Sequence, residues 1–167
     1  MIRIHALASD LPPAAPRPAE PSLRLADPVV ALTQGELRRL SDRRREAFAV
    51  WAGRPRGESA LISHVITLDC PADRNWLTVL SAARAEVAAA LRRDGLLAFA
   101  DLHTHPARAF LSDADRARPF SSRPGFYTVI VPDFALGAPG RGWRAYQSAG
   151  GAWAEVSCRD RFTPWPF

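Results

Sequence analysis

Lysine is absent from this sequence, and only two cysteines and four histidines are present. Cys70 and Cys158 are too few for a disulfide framework and lack C-x-x-C spacing, so they read as ordinary thiols in a reducing compartment. No apolar run approaches the ~20 residues that cross a bilayer, which excludes a helical membrane protein. The first eight residues, Met1 to Ala8, hold no apolar stretch long enough for a secretory signal before Asp10, and the expected location is cytoplasmic. Without lysine, the net charge of +5 is carried by arginine. Together with many Ala and Pro residues this reads as GC-rich coding rather than a nucleic-acid footprint. The arginines are scattered, and the densest group, Arg38-Arg39 with Arg43-Arg44-Arg45, reads as the solvated face of one helix. No platform of stacking aromatics accompanies the charge, so neither nucleic acid nor membrane is an expected partner.

What is present is ordinary globular material, 47% apolar and 23% charged in 167 residues, enough for one domain with a real core. Six prolines between residues 12 and 28 exclude a helix or interior strand there, so residues 1–28 are expected to be a Pro-rich N-terminal arm and 29–167 the folded domain. Residues 1–8 leave room for a short strand within that arm. Val29 to Leu32 reads as a strand, and Thr33-Gln34-Gly35-Glu36 has capping-box spacing for a helix over 34–45 with Leu37 and Leu40 inward. Glu46 to Gly53 and Ala60 to Leu68 read as a β-hairpin. Trp76, Leu77, Leu80, Ala83, Val87 and Leu91 recur at helical spacing, which predicts a long helix capped by Asp73 and stopped by Gly95. Leu96 to Ala100 is a short buried strand running into Asp101-Leu102-His103-Thr104-His105-Pro106. A short helix is expected from Ser112, a clear strand over 126–131, and weaker ones near 143–147 and 152–157. The order predicts an α/β layer sandwich, helices against a curved, partly antiparallel sheet.

The chemistry gathers at the end of the buried strand. Residues i and i+2 of a strand share a face, so His103 and His105 put two imidazoles side by side. Asp115 lies ten residues on, past a proline and a loop, with room to turn back and add a carboxylate. Two imidazoles and a carboxylate with one open position are what a catalytic zinc needs, and zinc lowers the pKa of water toward ~7. Ser112-Asp113-Ala114-Asp115 also reads as a helix-starting capping box, which is compatible with that role. His64, inside a strand, reads as a satisfied histidine rather than a further ligand.

With these residues in hand, His103-Thr104-His105-Pro106, Leu111-Ser112 and Asp115 resemble the JAMM signature of the JAB/MPN zinc isopeptidases. In that pattern a distant Glu opens a strand, then come His-Ser/Thr-His-Pro and Ser-x-x-Asp. Glu46 to Gly53 fits the strand, with Ala49 at its small position. The resemblance covers roughly residues 29 to 157. It implies a cytidine-deaminase-like MPN fold, a curved mixed sheet sandwiched by a long helix and shorter helices. It implies Zn2+ on His103, His105 and Asp115, Glu46 as general base and Ser112 as donor to the oxyanion. Six residues separate His105 from Ser112 where many members have seven, which leaves Asp113 as a rival to Asp115. Bacterial relatives of this family act on ubiquitin-like or sulfur-carrier proteins, in antiphage operons or on phage tails. This chain is most similar to the deconjugating peptidases, so a ubiquitin-like protein or its conjugates is the expected partner. A catalytically silent MPN scaffold is the rival class. Asp101 to His105 also resembles the opening motif of the PHP phosphoesterases, but those sites need several further histidines and none follows His105.

Overall fold

The computed structural model describes residues 2–7, 20–41, 45–69, 72–73, 76–77 and 81–166. Among the described residues, eleven strands and four α-helices follow one another. The strands are β1 (Ile2–Ala6), β2 (Ser22–Leu25), β3 (Phe48–Arg56), β4 (Ser59–Leu68), β5 (Ala72–Asp73), β6 (Trp76–Leu77), β7 (Leu97–Thr104), β8 (Tyr127–Val131), β9 (Arg144–Ser148), β10 (Trp153–Val156) and β11 (Phe162–Thr163). The helices are α1 (Val29–Ser41), α2 (Ser81–Arg93), α3 (Asp113–Ala117) and α4 (Cys158–Arg161). One mixed sheet runs in the order β10-β9-β8-β7-β3-β4-β2-β11, with β1 also against β4; β5 and β6 form a separate small ladder.

The expected α/β sandwich is present. On one face α1 packs Val29, Val30, Leu37 and Leu40 against Ala49, Trp51, Leu102, Tyr127 and Val129. On the other, α2 sets Val87 and Leu91 over Phe48, Val50, Ile66 and Leu68. Alternation along β3 sends 49 and 51 one way and 48 and 50 the other, as a two-residue period requires. Gly53 closes the regular part of β3 at a register shift. A Cβ there would lie 1.8 Å from the Leu61 carbonyl oxygen, so only glycine lets the strands approach.

Several expectations are corrected. Val29 to Leu32 is helix rather than strand: Val29, Val30, Thr33, Leu37 and Leu40 make one buried stripe, and a four-residue apolar run carries no period of its own. Thr33 is therefore mid-helix and caps nothing; its hydroxyl donates to the Val29 carbonyl at 2.7 Å and accepts from the Trp51 indole at 2.8 Å. α1 ends at Ser41, and Arg43 and Arg44 of the arginine cluster lie outside the described residues, while Arg38 and Arg39 are solvated. The long helix is shorter than its stripe, since Trp76 and Leu77 pair with Ala72 and Asp73 and the helix starts at Ser81. Asp and Asn residues disfavour a helix interior, and Trp suits a strand equally well. Leu80 lies outside the described residues. Gly95, at φ +64°, ends α2 as anticipated.

The proline-rich stretch does hold an interior strand. Four proline-free residues, Ser22 to Leu25, pair with β4 on one side and β11 on the other, so the sheet takes in residues on both sides of Val29. Residues 8–19 of the arm lie outside the described set. The aromatic C-terminus packs: Phe162 is fully buried edge-on to Trp51 and Tyr127, and Trp165 lies on Trp143 and Phe162. Burial pushes the Cys158 thiol up to about 12, which keeps it unreactive; Cys70 lies outside the described residues. His64 is buried with its ring bonded to the Ser63 hydroxyl and lies outside the cluster of His103, His105 and Asp115. Among the described residues no helix is long and apolar enough to cross a membrane.

Candidate metal centre

β7 lies antiparallel to β3 and parallel to β8. Parallel neighbours need a long crossover, and this one, residues 105–126, carries α3 back over the end of β7. That return places Asp115 above the two histidines. Among the described residues, His103, His105 and Asp115 form a group of metal-ligating types, their donor atoms all within 4.8 Å of one another.

Asp115 straddles the imidazoles, with Oδ1 3.3 Å from His103 Nε2 and Oδ2 3.5 Å from His105 Nε2. Donors at ~2.0–2.1 Å from one tetrahedral zinc stand about 3.3 Å apart, so these spacings fit a zinc-sized cation. His103 adds a sharper sign: both its ring nitrogens are buried with no hydrogen-bond partner. Buried polar atoms are rarely left so, and a cation at Nε2 would satisfy one of them. Burial on its own would depress the His103 imidazole, but the carboxylates of Asp101 and Asp115 overrule it and raise it to about 10. Burial also pushes Asp115 upward, yet His103, His105 and the Ser112 hydroxyl together hold it well below the usual carboxylate range.

The α3 cap fixes the carboxylate. Ser112 donates to Asp115 Oδ2 through its hydroxyl at 2.6 Å and its backbone N–H at 2.9 Å, while its Oγ accepts from the Asp115 N–H at 3.2 Å. This is a reciprocal capping box with Asp in the acidic position. The Ser112 hydroxyl proton is therefore committed to Asp115, and service to an oxyanion requires it to turn. Asp113, the rival ligand, is exposed and outside the cluster.

Glu46 stands two residues before β3 rather than opening it. Thr104, the residue between the histidines, brings it close: its hydroxyl accepts from the Ala47 N–H at 2.9 Å, and its own N–H donates to the Ala47 carbonyl at 3.0 Å. Glu46 is 5% exposed and lines an open depression with His105, Phe110, Ser112 and Asp115. Burial raises its carboxyl above the ordinary value; the two histidines pull it down and Asp115 pushes it further up. A carboxylate with raised affinity for a proton is suited to taking one and handing it on.

Two features escape sequence reasoning. Asp101, which carries no role in the sequence reading, is 2% exposed and shares the His103 face, its Oδ2 3.6 Å from Nδ1. Its signal is the two-residue offset from His103 on a strand. The second is a left-handed turn, with φ of 53°, 50° and 61° at Asp133, Phe134 and Ala135. Its N–H groups clasp the loop after the histidines, from Asp133 to the Ala107 carbonyl at 3.0 Å and from Phe134 to the His105 carbonyl at 2.9 Å. Gln34 holds its far side through the Ala135 and Gly137 carbonyls, and Ser41 through the Phe134 carbonyl. Strain of this kind persists only where surrounding structure over-determines it.

No family model matches the chain. The probable metalloprotease y4jG of Sinorhizobium fredii (strain NBRC 101917 / NGR234) is 28% identical over 113 residues, 64% of this chain and 68% of that protein. Among solved structures, protein DSY2949 from Desulfitobacterium hafniense matches with a TM-score of 0.65 at 17% identity, over 81% of this chain and 90% of that one, which shows a shared fold. AF2198, a JAB1/MPN domain protein from Archaeoglobus fulgidus, matches with a TM-score of 0.43 at 17% identity, over 83% and 94% of the two chains.

Proposed function

We propose that the chain is a zinc-dependent metallopeptidase of the JAMM type, with His103, His105 and Asp115 as ligands. The observation that carries this reading is the close set of two imidazoles and a carboxylate, with a buried, proton-avid Glu46 at its open side. The 28% identity to a probable metalloprotease supports the same class. A divalent metal there supplies Lewis acidity, which acidifies water and polarises a carbonyl.

The chain's own residues do the rest. Glu46 accepts a proton from the attacking water and delivers it to the departing amine, since it faces the same depression as the ligands. Ser112 first holds Asp115 in register and, once its hydroxyl turns, donates to the oxygen that gains charge on the scissile carbonyl. Phe110, 54% exposed and edge-on to His105 with ring centroids 5.1 Å apart, walls one side of the depression.

For substrate we propose the C-terminal tail of a ubiquitin-like protein, cleaved during precursor processing or deconjugation in the cytoplasm of a bacterium with a ubiquitin-like or antiphage system. This rests on the sequence resemblance. The test is incubation of zinc-loaded protein with a ubiquitin-like precursor bearing a C-terminal extension, read by intact mass. Release of the extension by the wild type and not by Glu46→Gln is expected. Intact precursor with zinc bound would remove this substrate, and intact substrates of every class would favour a silent scaffold.

A further inference from the structure

Asp101 has no part in the scheme above, yet it is a carboxylate buried to 2% exposure beside a proposed ligand. An ionised carboxylate taken out of water is costly unless hydrogen bonds and opposite charge compensate it. Each oxygen of Asp101 has a separate relation. Oδ1 accepts the Thr128 hydroxyl at 2.7 Å, from the residue directly across the β7–β8 ladder. Oδ2 is turned to His103 Nδ1 at 3.6 Å, slightly long for a formed bond, and Nδ1 has no other partner. On the opposite side of the same ring, Nε2 faces Asp115. Phe48, directly across the β3–β7 ladder, stacks on the ring at 10° and 6.5 Å between centroids. A small cavity lined by Phe48, Asp101, Arg118, Phe120 and Thr128 reaches His103 and Asp115 from the side away from Glu46. The ring is thus confined on its face and on both nitrogens, and the strand spacing alone puts Asp101 where it can take the Nδ1 proton in a hydrogen bond.

Resting on the zinc reading, we propose that Asp101, oriented by Thr128, is a positioning residue for the metal: it holds the His103 N–H on Nδ1 and so leaves the Nε2 lone pair facing the cation. The physical content is tautomer control, since an imidazole with its proton on Nε2 cannot ligate there. A carboxylate beyond a ligating histidine also makes that ligand more basic, and losing it typically weakens metal affinity about 10–100-fold. Thr128 contributes by turning the carboxylate: one oxygen anchored across the sheet leaves the other aimed at the ring.

The test is zinc affinity, measured by competition with a chromophoric chelator, together with the Co2+ absorption spectrum of each protein. Asp101→Asn is expected to keep the fold by circular dichroism and to bind zinc about 10–100-fold more weakly. Thr128→Val keeps the charge and shape but removes the anchoring hydroxyl, and a smaller, several-fold loss with an altered Co2+ spectrum is expected. Exposed Asp113→Asn serves as the control and keeps wild-type affinity. If Asp101→Asn does not fold, Thr128→Val alone decides between the outcomes. Zinc bound equally by wild type and variants would overturn the proposal and leave Asp101 a buried structural carboxylate. A wild type that takes up no zinc would remove the centre itself, a different failure.

Discussion

The two histidines of the centre stand on opposite kinds of structure. The His103 flank is made of strands: Asp101 on its own strand, Thr128 and Phe48 on the two neighbours, all at most 3% exposed. The His105 flank is made of segments between elements: Glu46 before β3, Phe110 and Ser112 in the crossover, with Phe110 54% exposed. One side holds and the other admits. Ladder hydrogen bonds and a packed ring fix His103 beside no more than a small cavity, whereas loops pinned from behind leave His105 beside a wider depression that a substrate can enter. The proposed function, which asks the site both to bind a cation and to release a product, would gain from this division.

The comparison breaks most visibly if the open flank is changed chemically and not sterically. Glu46→Gln is expected to lower turnover ~10²–10⁴-fold while zinc content and melting temperature stay near wild type. Elemental analysis beside a rate assay checks it, and loss of zinc would mean that Glu46 belongs to the holding side. Next in size is the asymmetry between the histidines in metal-free protein. His103→Ala leaves buried Asp101 and half-buried Asp115 without their shared partner, and a loss of about 3–5 kcal/mol is expected. His105→Ala leaves Asp115 still facing His103, so about 1 kcal/mol is expected, by urea unfolding.

The holding flank also makes stability depend on pH, and zinc changes that dependence. The folded His103 is raised to about 10, above the ~6.5 of an unfolded chain. Its contribution to metal-free stability is complete below pH ~6.5 and is lost as pH rises through about 10. Zinc must displace that proton, so stabilisation by zinc grows over the same interval. Melting curves at pH 6 to 9, with and without zinc, should diverge as pH rises; parallel curves would contradict the shared role of His103. The smallest effect belongs to the wall: Phe110→Ala is expected to change stability by no more than ~0.5 kcal/mol and to raise KM more than it lowers kcat. A large loss of stability would show that Phe110 is core and not rim.

How much of this was legible depends on how far each relation reaches along the chain. β7 was readable because a buried apolar run leads straight into the histidines, and the α3 cap because Ser112 and Asp115 are three residues apart. Val29 to Leu32 is ambiguous because four apolar residues fit a strand or a helix equally, and only their packing with Trp51 decides. The start of α2 is ambiguous for the same reason: Trp76 and Leu77 suit a helical stripe in sequence but sit in a ladder. Asp101 shows no role in the sequence because its partner Thr128 is 27 residues away and strand register leaves no local trace. Glu46 is tied beside the histidines through Thr104, 57 residues from Ala47, so its place came from a resemblance and not from any pattern around it.

The central claim is a zinc centre made by His103, His105 and Asp115, and zinc per chain after equilibrium dialysis tests it most directly. One zinc per wild-type chain is expected, with none retained by His103→Ala, His105→Ala or Asp115→Ala proteins that remain folded. A folded wild type without zinc, or full zinc content in the Asp115→Ala protein, would contradict it.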